Sequence, residues 1–345
     1  MQEIVFILSN IILIILISII FKKFNFLLDN PNIDDHKLIY TKDTPLAGGI
    51  FFYLIFLFLI TNIGSSFLEF KTLFFALLLL ILGIFSDIKK DFHPSKRLFL
   101  QVLIVVLAVI FLNVKITDTR IEIIDFLLTN FIFQSFFTIF CILTVLNGFN
   151  FLDGFNGIAP GYFLLSFLSL YILTLITKTN IDVLFLEAIL AALIIFYIFN
   201  IFGKVFLGDN GIYLLSFLLC VLSINFLNNN AQISPIFAVN IFWYPAFENL
   251  FSIIRRYRAN SKLMSPDRKH FHTLINIFIK KKLNKNLIKN NNSITGLVIN
   301  TLLLPNFIFA ILNYNKSLVL GFIVLINILV YLLVYWLLKD VSEDS

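Results

Sequence analysis

Hard oxygen donors crowd one stretch of the chain, Asn147-Gly148-Phe149-Asn150-Phe151-Leu152-Asp153-Gly154-Phe155-Asn156-Gly157. Glycines and large apolar residues separate its four carbonyl or carboxylate side chains. Such side chains suit Mg²⁺, which takes few protein ligands and completes its shell with waters and phosphate oxygens. The bland alternative is a glycine-broken re-entrant turn whose Asn and Asp side chains cap helix ends. The density of donors favours chemistry. A second acid, Asp209 in Lys204-Val205-Phe206-Leu207-Gly208-Asp209-Asn210-Gly211, is flanked by glycines between two apolar runs. It fits either an N-cap or a metal ligand held at a helix terminus.

Three further clusters carry chemistry of a related kind. In Ser86-Asp87-Ile88-Lys89-Lys90-Asp91-Phe92-His93-Pro94-Ser95-Lys96-Arg97, Asp87 follows an apolar run directly. A carboxylate at that depth is costly without a partner or a purpose. Pairing with Lys89 or Lys90 is the competing explanation. Gly48-Gly49, after Thr41-Lys42-Asp43-Thr44-Pro45, would let backbone approach an anion or a neighbouring element closely. Ser265-Pro266-Asp267-Arg268-Lys269-His270-Phe271-His272 sets two of the four histidines beside an Arg and a Lys. That combination suits a diphosphate, and no third soft ligand is near enough for zinc.

The elements that must position these clusters are membrane helices. The 345 residues are 59% hydrophobic and 13% charged, against about 25% charged in soluble chains. Spans need about 20 mostly apolar residues, with shorter cores tolerated. They are expected near Ile4–Phe21, Gly48–Ile63, Thr72–Phe85, Leu98–Leu112, Phe126–Leu146, Gly161–Ile176, Val183–Phe202, Ile212–Leu227, Ile233–Ile254, Thr295–Leu312 and Leu318–Leu338. The fold class is therefore all-α: a polytopic integral membrane protein with about eleven helices and a single catalytic domain over residues 1–345.

With the N-terminus outside, only Lys71, Lys115, Arg120, Lys178 and Lys316 of the 26 basic residues fall in outer loops. This bias is the positive-inside signature; it puts the C-terminus in the cytoplasm and leaves nucleic-acid binding without a reason. The first apolar run lacks a basic n-region and a small-residue cleavage site, so a retained span is expected there. Cys141 and Cys220 lie inside apolar runs and read as core residues. All five polar clusters fall in inner loops, at 22–47, 86–97, 147–160, 203–211 and 255–294. One site assembled from those loops is the expectation.

In that order the motifs resemble the polyprenyl-phosphate N-acetylhexosamine-1-phosphate transferases. The resemblance runs from Asp29 to His272 through Lys42-Asp43-Thr44-Pro45, Gly48-Gly49, Ser86-Asp87 with Gln101, Asn147–Gly157, Lys204–Gly211 and Ser265–His272. The last motif looks more like the GlcNAc-1-phosphate branch than the muramoyl-pentapeptide branch. The resemblance implies ten or eleven spans, a bacterial inner membrane, a UDP-sugar donor, undecaprenyl phosphate as acceptor and release of UMP. It implies Mg²⁺, with Mn²⁺ as a substitute, held by Asp209 and Asn150. It implies catalytic roles for Asp87 on the lipid phosphate, for Asp153 and Asn156, and for His270 and His272 on the sugar-nucleotide diphosphate. Lys42, Gly48, Gly49, Asn147 and Arg268 are expected to bind substrate, and a homodimer is compatible with the family.

The departures are Ser86 in place of the first acid of a usual aspartate pair, Asp34-Asp35-His36-Lys37 and Tyr40 in a weakened basic-and-His pattern, and Glu248 where relatives often carry Asp. A secondary transporter, which would keep its acids mid-span and often shows internal repeats, is the rival from another class, with an inactive family member the second alternative.

Overall fold

The computed structural model describes residues 2–29, 43–63, 69–89, 91–179, 183–259, 269–282 and 291–343. It is helical almost throughout, as expected for a chain whose backbone polar groups must be satisfied within each segment in lipid. In chain order the elements are α1 (Gln2–Phe24), β1 (Leu28–Asp29), β2 (Thr44–Pro45), α2 (Gly48–Ile63), α3 (Phe70–Ile88), α4 (Pro94–Leu112), α5 (Glu122–Leu128), α6 (Phe131–Leu152) and α7 (Ile158–Thr177). Then follow α8 (Val183–Ile201), α9 (Gly208–Asn228), α10 (Ile236–Arg258), α11 (Phe271–Lys282), α12 (Asn291–Leu312) and α13 (Ser317–Glu343).

Ten of the eleven expected spans each coincide with one helix. Among the described residues nine helices are long and apolar enough to cross a membrane; α2 is shorter, and α10 carries Pro245 and Glu248 in its interior. The boundaries differ in a telling way. The expected span Phe126–Leu146 straddles a break, because α5 stops at Leu128 and Asn130 caps α6, its side chain accepting the Ile132 and Phe133 N–H groups at 3.0 and 3.1 Å. All five expected loops are partly helix, and the expected loop 255–294 holds a whole helix, α11, whose buried Phe271, His272, Leu274 and Ile275 pack inward. α6 runs on to Leu152, and α9 starts at Gly208, so Asp209 and Asn210 occupy its first turn.

The chain divides into two compact units, Met1–Lys115 with Ala159–Asn225 and Ile116–Ile158 with Phe226–Ser345. In the first, α9 is the enclosed helix: 83% of its span is buried, and every residue from Ile212 to Leu219 is fully buried. A helix apolar all round requires such a place. Aromatic packing of Phe51 and Phe52 on Phe196 joins α2 to α8. The two-residue β1 and β2 pair antiparallel, and the Phe206 N–H donates to the Pro45 carbonyl at 2.9 Å, pinning the segment that leads into α9.

In the second unit, α10 lies against α6, where Gly148 meets the Pro245 carbonyl. Pro245 frees a carbonyl inside α10, and neighbouring helices make up for such losses. An amide ladder then ties α10, α12 and α13: Asn306 donates to the Asn240 carbonyl at 2.9 Å and Asn327 to Asn306 Oδ1 at 2.7 Å. In lipid, such bonds supply the association that hydrophobicity cannot. The outward faces of α1 and α13 stay apolar, with Ile4, Ile12, Leu318 and Phe322 exposed, as lipid-facing surfaces are.

Candidate active site

The first cluster is built where α3 meets the start of α9. A Cβ at Gly83 would overlap Asn210 Cα and N and lie 2.7 Å from the Asp209 carbonyl carbon, so only glycine allows this approach. One turn later Asp87 reaches the α9 N-terminus. Its Oδ1 accepts the Asp209 N–H at 2.9 Å; its Oδ2 accepts the Asn210 N–H at 3.1 Å and the Asn210 side-chain amide at 2.5 Å. Asp87 thus caps from another helix the N–H groups that α9 cannot satisfy itself, and the helix dipole favours its charge. Gly208, at φ +68°, makes the turn into α9; a side chain there would also strike Asp87 Oδ2 at 2.8 Å.

Asp209 faces the opposite way. Its Oδ2 accepts from Ser86 Oγ at 2.5 Å, Arg97 at 2.9 Å and the Tyr213 hydroxyl at 3.1 Å. Arg97 also donates to Ser86 Oγ at 3.3 Å. Two carboxylates are therefore held close together, with one guanidinium and a helix N-terminus to balance them. Asp209 and Arg97 keep 21% and 27% of their side chains exposed, so the cluster is open to a ligand while locked from behind. Gly49 donates its N–H to Asn210 Oδ1 at 2.7 Å, and Gly48 donates to the Phe206 carbonyl at 3.2 Å. Of the two uses open to the glycine pair, the structure shows close approach to a neighbour.

The second cluster closes the end of α6. Asp153 is the C-cap, Gly157 turns at φ +85°, and α7 begins at Ile158. Asn147 donates to its own helix at the Leu143 carbonyl, 2.9 Å away. Asn156 is docked on α12: its N–H donates to Asn292 Oδ1 at 2.9 Å, and its carbonyl packs on Gly296. Asn150 and Asp153 are half-buried. His270 and His272 are buried with rings stacked at 5.3 Å and 5°. Phe151 lies 5.0 Å from the His270 ring and Phe155 5.5 Å from the His272 ring. Arg256, buried, sits over Phe151. Behind the histidines, the fully buried Glu248 carboxylate takes His270 Nδ1 at 2.9 Å and the Tyr331 hydroxyl at 2.6 Å.

Residues 70–227 match the model of glycosyl transferase family 4. The chain is 30% identical over 260 residues to the undecaprenyl-phosphate alpha-N-acetylglucosaminyl 1-phosphate transferase of Yersinia pestis, covering 72% of this chain and 69% of that protein. The chain belongs to glycosyl transferase family 4. It is also 26% identical over 239 residues to the protein of that name from Escherichia coli O157:H7, covering 67% of this chain and 65% of that one. With a probable undecaprenyl-phosphate N-acetylglucosaminyl 1-phosphate transferase of Bacillus subtilis it shares 23% over 253 residues, 69% of this chain and 67% of that one.

In this family 4 chain the expected residues separate by unit. Gly48, Gly49, Asp87 and Asp209 come together in the first; Asn147, Asn150, Asp153, Asn156, His270 and His272 belong to the second. Lys42 and Arg268 lie outside the described residues. Sequence reasoning did not single out Arg97, Asn210 or Tyr213 as site groups. Tyr213 stands one helical turn after Asp209, which is the signal that could have found it. As for metal, no group of three or more His, Cys, Asp or Glu occurs among the described residues. A protein-only cage is not present there. Mg²⁺ does not need one, since one or two carboxylates plus substrate phosphates and waters suffice, and the part-exposed Asp209 fits that mode.

Proposed function

We propose that this chain transfers N-acetylhexosamine-1-phosphate from a UDP-sugar to undecaprenyl phosphate, releasing UMP, as the first membrane step of a bacterial envelope glycan. The observation that carries the reading is Asp209, locked on one side by Arg97, Ser86 and Tyr213 and part-exposed on the other, inside the family-matched segment of a multi-pass membrane protein. The names of the relatives give the acceptor lipid. The crowding of basic residues on one side of the expected topology supports an inner-membrane protein whose chemistry faces the cytoplasm.

An oxygen of the lipid phosphate attacks the sugar-side phosphorus. The bond from that phosphorus to the bridging oxygen breaks, and UMP leaves with the electron pair. Anionic groups must approach one another, so the protein's work is positioning and charge neutralisation. Asp209 would hold Mg²⁺, which when bound would offset diphosphate charge and stabilise the departing UMP; Asn150, the other expected ligand, belongs to the second unit. His270 and His272 hold the donor diphosphate, flanked by Phe151 and Phe155. Asp87 serves the lipid-phosphate end by orientation; a phosphate with its second pKa near 6 needs little help in losing a proton. Three bonds to the start of α9 support a fixed Asp87. Asp153 caps the end of the helix that carries Asn150, and Asn156 docks the following turn on α12.

The test is UMP release by detergent-solubilised protein given undecaprenyl phosphate and a panel of UDP-N-acetylhexosamines, with and without Mg²⁺. Metal-dependent release with one donor, lost in Asp209→Asn, is expected. A transporter would release no UMP under those conditions, and full activity in Asp209→Asn would remove the metal assignment.

A further inference from the structure

Among the described residues of the second unit Glu248 is the most deeply buried carboxylate, with no exposed surface, and the reaction proposed above gives it no task. A buried acid in a membrane helix is expensive unless its charge is used. Its bonds show where the charge goes. Oε1 accepts from His270 Nδ1 at 2.9 Å and from the Phe271 N–H, the opening of α11, at 3.4 Å; Oε2 accepts from the Tyr331 hydroxyl of α13 at 2.6 Å. An ionised carboxylate only accepts, so Nδ1 of His270 must carry a proton. Ser252 Oγ lies 3.3 Å from the same nitrogen. Nδ1 is therefore committed to α10, and Nε2 is the one ring nitrogen left for a ligand.

We propose that Glu248 is a positioning residue: it fixes the ring of His270 with Nδ1 as the donor toward the carboxylate, which turns Nε2 away from α10 and leaves it for the donor diphosphate. This rests on the transferase reading for the identity of the anion. The geometry assigns Tyr331 as the brace on the far oxygen, holding the carboxylate in one orientation. The stacked ring of His272 and the face of Phe151 then restrict ring rotation of His270. The same carboxylate caps α11, which links the ring's orientation to the helix that carries His272.

Glu248→Gln is the informative variant. Its amide keeps the size of the side chain and an oxygen for Nδ1–H and the Phe271 N–H, while the Tyr331 hydroxyl can turn to accept. Only the charge is withdrawn. The expected result is an unchanged melting temperature, a rise of roughly 10- to 100-fold in KM/kcat for the UDP-sugar, as when the partner behind a functional imidazole is removed, and no change in KM for undecaprenyl phosphate. Glu248→Asp should recover much of the loss. In a His270→Ala background, Glu248→Gln should add nothing, because its effect passes through that ring. A Glu248→Gln enzyme with wild-type donor kinetics, or one whose penalty persists without His270, overturns the proposal. Histidine-selective ¹⁵N NMR reads the Nδ1 proton independently of turnover. Wild-type protein that releases no UMP but shows a protonated Nδ1, weakened in Glu248→Gln, would sink the transferase reading and leave the positioning role standing.

Discussion

Adding one methyl group at position 83 tests how the first cluster is held. The new Cβ of Gly83→Ala would overlap the Cα and N of Asn210 and stand 2.7 Å from the Asp209 carbonyl carbon, where ordinary contact begins at 3.4 Å. All three atoms are backbone, so no rotamer change relieves the overlap. α3 and the start of α9 must part by roughly 1 Å before normal van der Waals spacing returns. Asp87 lies one turn further along the same face, and its bonds to the Asp209 and Asn210 N–H groups, 2.9 and 3.1 Å long, would stretch by a similar amount. That carries them past useful hydrogen-bond length. Overpacking of this kind costs about 1–3 kcal/mol and loss of a helix cap about 0.5–2 kcal/mol, so a stability loss of roughly 1.5–5 kcal/mol is expected.

Activity should fall further than stability. A displacement near 1 Å between groups that must be aligned can cost about 10²-fold in rate. The assays are thermal unfolding in detergent and UMP release on the protein that remains folded. Gly321→Ala is the control, because a methyl added there, in α13, meets nothing within 4 Å. It should match or slightly exceed wild type, since alanine is the better helix former. If Gly83→Ala behaves like Gly321→Ala in both assays, close packing of α3 on α9 is not what places Asp87 and Asp209, and the account of the first cluster fails.

Two further outcomes follow from the same unit. Gln101, one turn after Arg97, is fully buried and neither amide atom has a hydrogen-bond partner among the described residues. Gln101→Met should therefore raise stability by about 1–3 kcal/mol in thermal unfolding, the cost of a buried unsatisfied polar group, and a fall instead would mean the amide is satisfied. Arg97→Ala removes the guanidinium paired with Asp209 and should lower the melting temperature. Added Mg²⁺ should restore more of that loss than it adds to wild type; equal responses would argue against a cation site at Asp209.

The helices were legible because lipid leaves an apolar run few alternatives to helix. Their ends were less so. Asn130 separates α5 from α6, yet one uncharged amide among Phe and Leu barely interrupts hydrophobicity; its role as a cap appears only in its bonds. Asp209 reads as loop for the opposite reason: it is polar, and only its capping partner Asp87 shows that α9 has already begun. Charge misleads in a further way. Arg97 counts toward topology with every other inner-side cation, and nothing local separates it from Lys96. Its partner Asp209 lies 112 residues away, as Tyr331 lies 83 from Glu248, and single-sequence patterns carry no such pairing.

Ser86 shows what the pairing adds. Read along the chain, it is an acid missing from an aspartate pair. In the fold its hydroxyl donates to Asp209 Oδ2 at 2.5 Å, with Arg97 at 3.3 Å from the same oxygen of Ser86. A carboxylate in this place would bring a third negative charge against Asp209 and Asp87, and it would need a proton or a cation between it and Asp209 to stay. The serine supplies a donor where the acid would have been an acceptor. The loss of the first acid therefore leaves Asp209 better satisfied and the cluster one negative charge lighter.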